Sequence, residues 1–154
     1  MLLFALSACG FQLRGEPAVG LQSLHIAPAV PSLVAVEMRR ALATGPTRIV
    51  PTPADAQAVL RILGENREKL VATITGTGRV YEHELRLIVR YELTVPGREL
   101  PVIVPTETIA RRLITYSESA PVAKEAEEQL LYQDMQAELA GRILRHVAVA
   151  RRDM

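Results

Sequence analysis

Tryptophan is absent from this 154-residue chain, and aromatic side chains amount to two phenylalanines and four tyrosines. Its core must therefore be aliphatic, built from Leu, Val, Ile and Ala. There is one cysteine, Cys9, which excludes an internal disulfide and leaves a thiolate metal site without ligands. Charge of one sign is lacking as well. Eighteen Lys and Arg against 17 Asp and Glu leave a net charge of +1, too little for the broad field that draws nucleic acid onto a surface. No nucleic-acid partner is expected, and any anion site must be local. No apolar run reaches the ~20 residues that a membrane-spanning helix requires. Internal repeats and low-complexity segments are also lacking. A chain of this length buries roughly 68–70% of its unfolded surface as one unit, so a single domain is expected.

Catalytic signatures are missing too. His25, His83 and His146 are scattered, with no second ligand at a zinc-binding interval. His83 reads as an ordinary residue on an apolar strand face. Gly76 and Gly78 begin a Gly-x-Gly, but Tyr81 stands where a dinucleotide fingerprint needs its third glycine. There is no Gly-x-Ser-x-Gly elbow, and the carboxylates fall on solvent faces or in a long helix, where salt-bridging is the usual role. The reading is a non-enzymatic protein with no metal and no cofactor. Arg142, Arg145, Arg151 and Arg152 cluster near the C-terminus, where cations complement a helix dipole.

The N-terminus is the most informative stretch. Met1 to Ala8 read Met-Leu-Leu-Phe-Ala-Leu-Ser-Ala, an apolar run closing on small residues directly before Cys9, the pattern of a signal-peptide core and cleavage site. Leu6-Ser7-Ala8-Cys9 looks like a bacterial lipobox: a signal peptidase takes small side chains before its cut, and the thiol is the nucleophile that receives diacylglycerol. No Lys or Arg precedes Arg14, so residues 1–8 are read as a truncated lipoprotein signal peptide whose start lies upstream. Residues 9–20, with Pro17 between Gly15 and Gly20, form the lipidated cysteine and its tether. Each buried methylene contributes roughly 0.8 kcal/mol, so a diacylglycerol plus an N-acyl chain on Cys9 would anchor the protein without spanning the membrane.

Residues 21–150 are read as the domain and 151–154 as a tail. Leu21 to Ile26 make a first strand ended by Pro28 and Pro31. Ser32 is the expected N-cap of a helix whose Val34, Met38, Ala41 and Leu42 share a face and which stops at Gly45-Pro46. After Pro51 and Pro53 a strand carries Ala58, Leu60 and Ile62 on one face and continues, through a bulge at Gly64, to Ile74. Thr75 to Gly78 turn the chain. Tyr81, His83, Leu85, Leu87, Val89, Tyr91, Leu93 and Val95 then alternate with Glu82, Glu84, Arg86, Arg90 and Glu92, one face for the core and one for water. Pro96-Gly97-Arg98-Glu99 is a turn. Leu100 to Tyr116 return antiparallel, with Pro101 and Pro105 marking an edge strand or a late start. From Pro121 the period becomes helical through Leu131, Met135, Leu139, Ile143 and Val147, widened by Ala140 and Leu144, with Glu138 four residues before Arg142. The order predicts an α+β two-layer sandwich, two helices packed on one face of a mixed four-stranded sheet whose other face is polar.

Cys9-Gly10-Phe11-Gln12-Leu13-Arg14-Gly15, directly after the lipobox, resembles the opening of the LptE family of outer-membrane lipopolysaccharide-assembly lipoproteins. The element order agrees with that family across the mature chain. So do the long alternating strand running into Val95-Pro96-Gly97-Arg98-Glu99 and the stretch Ala123-Lys124-Glu125-Ala126-Glu127-Glu128-Gln129. The resemblance implies a lipid-anchored protein on the periplasmic side of the outer membrane, one-to-one with an LptD-type β-barrel whose lumen it plugs and whose assembly it assists, taking part in delivery of lipopolysaccharide to the outer leaflet. It also implies Lys124 as a lipopolysaccharide contact, with Arg79 beside the glycine turn as a second. The charged face of the Tyr81–Val95 strand is a surface able to match a barrel interior. The main rival is an auxiliary lipoprotein of an ABC-type lipid transport system, which would share Cys9 and the α+β outline. A small periplasmic hydrolase and a soluble cytoplasmic module are remoter alternatives.

Overall fold

Ser32 closes the N-terminus of the first helix: its Oγ accepts the Ala35 N–H at 2.9 Å and donates to Glu65 Oε2 at 2.6 Å. Glu65 also accepts the Val34 N–H at 3.2 Å, so two side chains, one from a distant strand, satisfy N–H groups that a helix start leaves without partners. In the computed structural model, which describes residues 19–74, 76–78, 80–115 and 121–154, this helix is α1 (Leu33–Leu42). It follows strand β1 (Ser23–Pro28) and precedes β2 (Arg48–Ile49), β3 (Ala58–Ile74), β4 (Val80–Thr94), β5 (Ile103–Thr115) and the long α2 (Pro121–Ala150). Cys9 and Arg79 lie outside the described residues.

The five strands form one mixed sheet in the order β2-β1-β3-β4-β5, with β1 parallel to both β2 and β3 and the β3-β4-β5 meander antiparallel. The two helices cover one face, so the α+β two-layer sandwich is as expected, but the sheet has five strands and not four. The additional strand is the two-residue β2, too short to show any alternation. It becomes a strand only because the Arg48 N–H reaches Gln22 O and the Val50 N–H reaches Leu24 O, both at 3.0 Å. β5 begins after Pro101, carries Pro105 and lies at the sheet edge, where a missing N–H costs no ladder bond. Pro96-Gly97 turns β4 toward it, with Gly97 at φ +83° and the Arg98 N–H donating to Val95 O at 3.0 Å, a conformation glycine adopts without strain.

Between the layers lies the aliphatic core: Leu60 and Ile62 of β3, Leu85, Leu87 and Leu93 of β4, Met38 of α1, and Met135, Leu139, Ile143 and Leu144 of α2. The opposite sheet face carries Arg61–Glu92 at 2.9 Å, an Arg86–Glu84 pair and the Thr73 Oγ1 bond to Glu82 at 2.8 Å. It is not polar throughout, since Val50, Ala56 and Val59 make a small buried cluster on which Ala27 packs. At the C-terminus Arg151 Nη1 donates to Gly20 O at 2.6 Å. A side chain at residue 20 would run into that guanidinium.

Candidate functional site

The register of β3 on β4 breaks between Ile62 and Gly64, where the bulge expected at Gly64 inserts one residue. Before it, even-numbered Ala58, Leu60 and Ile62 face the helices. After it, Glu65, Arg67, Lys69 and Val71 pair with Val89, Leu87, Leu85 and His83, so the odd-numbered residues now face them. A one-residue insertion reverses the side chains that follow it, here up to the next irregularity between Val71 and Thr73, and it turns a charged run toward α2.

Each of those charges finds a partner. Glu65 caps α1 as described. Arg67 lies 4.6 Å from the centre of the Tyr132 ring, a cation–π contact. The Tyr132 hydroxyl donates to Glu68 O at 3.0 Å. Burial raises the pKa of this phenol, the nearby Glu128 and Glu68 raise it further, and Arg67 opposes the rise. Lys69 Nζ lies 2.6 Å from Glu128 Oε2. Lys124, in the first turn of α2, donates to Glu127 Oε2 at 2.7 Å and to Thr115 Oγ1 at 3.0 Å.

Lys69, His83, Lys124, Glu125 and Glu128, with Ile114, Thr115 and Pro121, line a cavity of about 260 Å³ between the hairpin and the start of α2. Lys69, His83 and Lys124 share it with the carboxylates of Glu125 and Glu128 at the start of α2, the end of a helix that favours negative charge. Val71, the register partner of His83, is 52% exposed, and Ile74, Tyr81 and Val122 are exposed as well. Among the described residues no group of His, Cys, Asp or Glu is placed to hold a metal, and no helix is long and apolar enough to cross a membrane.

Of the residues singled out in the sequence, Lys124 thus sits at the cavity, whereas Cys9 and Arg79 lie outside the described residues. His83, read as an ordinary core-face residue, lines the cavity. Glu125 and Glu128 belong to the stretch that carries the family resemblance but were not expected at a site, and Lys69 was not singled out. Lys69 is 55 positions from Lys124, and only the bulge parity brings them to one side; counting faces through Gly64 would have found it. The basic C-terminal cluster disperses in the structure. Arg142 binds Thr108 Oγ1, Ile109 O and Glu138 at 3.2, 2.9 and 2.5 Å, and Arg151 binds Gly20. Beside Arg142, Arg112 of β5 reaches both Asp134 and Glu138 of α2 at 2.5 and 2.7 Å, contacts that raise its pKa, Asp134 contributing most.

A family model described as "LptE: Lipopolysaccharide-assembly" matches residues 21–147. The chain is 29% identical to the LPS-assembly lipoprotein LptE of Yersinia enterocolitica over 97% of its own length and 75% of that protein's. Among solved structures it resembles lipoprotein B of Nitrosomonas europaea, with a TM-score of 0.77 at 27% identity over 90% of each chain. It also resembles rare lipoprotein B of Shewanella oneidensis, with a TM-score of 0.73 at 26% identity over 85% of this chain and 97% of that one.

Proposed function

The chain belongs to the LptE lipopolysaccharide-assembly family, and from that premise we propose that it is anchored through acylated Cys9, occupies the lumen of an LptD-type β-barrel as a one-to-one heterodimer, and helps pass lipopolysaccharide to the outer leaflet. Membership makes it a non-enzymatic, periplasm-facing lipoprotein of the outer membrane, a partner of an outer-membrane barrel and of lipopolysaccharide. In this reading residues 1–8 are the end of a signal peptide, 9–20 the lipidated tether, 21–150 the working domain and 151–154 its tail. Cys9 carries diacylglycerol and an N-acyl chain.

The observation that supports a direct lipid contact is the cavity at Lys124. A phosphate of lipopolysaccharide meets Lys124 and the start of α2, and its acyl region meets the exposed Val71, Ile74, Tyr81 and Val122. Arg79, next to the Gly76–Gly78 turn, is a second contact in this reading. One charge-assisted bond to phosphate contributes about 1.5–3 kcal/mol, so Lys124→Ala is expected to weaken lipopolysaccharide binding while the domain stays folded. Binding equal to the parent's would remove Lys124 from the site. The charged outer face of β4, with its Arg61–Glu92 and Arg86–Glu84 pairs, is the surface we assign to the barrel interior.

The first test is copurification in mild detergent from membranes of cells expressing the tagged chain with its upstream start, read by mass spectrometry. A large β-barrel in equal amount is expected. Recovery of an ABC-transport component instead would favour the auxiliary-lipoprotein alternative, and an unmodified intact mass would refute the anchor at Cys9.

A further inference from the structure

Both lysines at the cavity are already engaged by carboxylates. Lys69 is held by Glu128, and Lys124 by Glu127. These carboxylates are neighbours on α2, one turn after its start, and Glu125 lines the same cavity. A phosphate entering here meets two ammonium groups whose strongest acceptor is an internal carboxylate. Each pair is partly exposed, Lys69 45% and Glu128 20% in one, Lys124 27% and Glu127 48% in the other, so solvent screens both and a phosphate dianion, with more charge and more acceptor oxygens than a carboxylate, can take the carboxylate's place. An ammonium has three N–H donors, so Lys124 can keep Thr115 while exchanging Glu127 for phosphate.

We propose that Glu128 and Glu127 compete with the phosphate monoester of an amphiphilic ligand for the two lysines, and that Lys69 is the second cation of the phosphate seat. The inference rests on the reading of Lys124 as a lipopolysaccharide contact. With the cavity empty, the carboxylates hold both lysines in place and prevent two like charges from facing each other unscreened. With ligand present, they lower its affinity, which a protein that must release its cargo requires. A fastener that only ties α2 to β3 would behave differently, since removing it would loosen the fold without improving binding.

The test titrates the purified full chain with lipopolysaccharide and with its dephosphorylated form, folding being checked by circular dichroism. Glu128→Gln is expected to tighten binding of native lipopolysaccharide by about two- to fivefold, the size of one exposed ion pair, with no gain for the dephosphorylated form. Glu127→Gln gives a smaller gain and serves as the second variant, since its pair lies within one helix. Lys69→Ala weakens binding, and in that background Glu128→Gln brings no gain. Inorganic phosphate at matched concentration does not displace the lipid; displacement by it would overturn the lipid as the source of the phosphate. Unchanged or weaker binding in both glutamine variants, with parent binding intact, overturns the competitor role alone. A parent that binds neither form overturns the underlying reading as well.

Discussion

Ala58, Leu60 and Ile62 and, farther along, Glu65, Arg67 and Lys69 all point to the helix side of one strand, yet they are held there by different chemistry. The first three are buried among Met38, Leu87, Leu93 and Leu139 in the aliphatic core. The others reach the helices through a cap, a ring face and an ion pair. The helix side of β3 is therefore dry at one end and charged and part-open at the other, while Leu85, Leu87 and Val89 of β4, across from the charged residues, stay buried. The difference shows how one strand can secure a domain at one end and line a part-open cavity at the other: burial supplies stability where the cover is apolar, and solvated charge leaves room for exchange where it is not.

The comparison breaks most easily at the core. Leu139→Ala, at a fully buried position, is expected to cost about 2–5 kcal/mol, whereas Val71→Ala, 52% exposed on the helix side of the far half of β3, stays within about 0.5 kcal/mol; urea unfolding of both compares them. Similar losses would mean that the far half is as tightly packed as the near one. Next comes the cap that joins the two halves. Ser32→Ala removes the acceptor of the Ala35 N–H and a partner of Glu65, with an expected loss of about 1 kcal/mol by the same measurement.

Tyr132→Phe keeps the ring under Arg67 but loses the hydroxyl bond to Glu68 O, a cost of about 1 kcal/mol. An unchanged midpoint would leave the ring contact as the whole of that tie. The smallest effect is a pH dependence. Burial raises the pKa of Tyr91, with Arg142 opposing, and that of Tyr132 is raised too. A phenol whose folded pKa exceeds its unfolded value near 10 stabilises the fold fully below about pH 10 and loses that contribution as pH rises through the folded pKa. Unfolding midpoints should therefore fall above about pH 10, and less steeply in Tyr91→Phe, in which the 2.7 Å contact with His146 is also absent. A parent and variant falling in parallel would assign the dependence to other groups.

Much of the fold was legible because its signals are local. The cap at Ser32 needs only a short polar side chain before an apolar periodic run. The turn at Pro96-Gly97 needs a fixed φ followed by a positive one, and the alternation of β4 needs one face to be dry. The bulge at Gly64 and the edge position of the Pro105 strand were readable for the same reason. β2 was not, because two residues carry no period and its hydrogen bonds belong to the strand beside it. The candidate site was half legible. Lys124 stands out in a stretch that resembles a family pattern, but Lys69 and His83 look ordinary until register places them across from α2.

The sequence by itself determined the element types, the aliphatic core and the family resemblance, since these follow from periodicity, composition and short motifs that need no distant partner. It also confined any anion site to a local one, because a net charge of +1 supports no broad field. Only the tertiary structure decided which charges meet. The extra residue at Gly64 reverses the face of β3 that follows it, pairing then brings Lys69 and His83 to the cavity at the start of α2, and Glu128 of that helix becomes the partner of Lys69. Such contacts depend on parity and on strand neighbours tens of residues apart, and no local pattern encodes them.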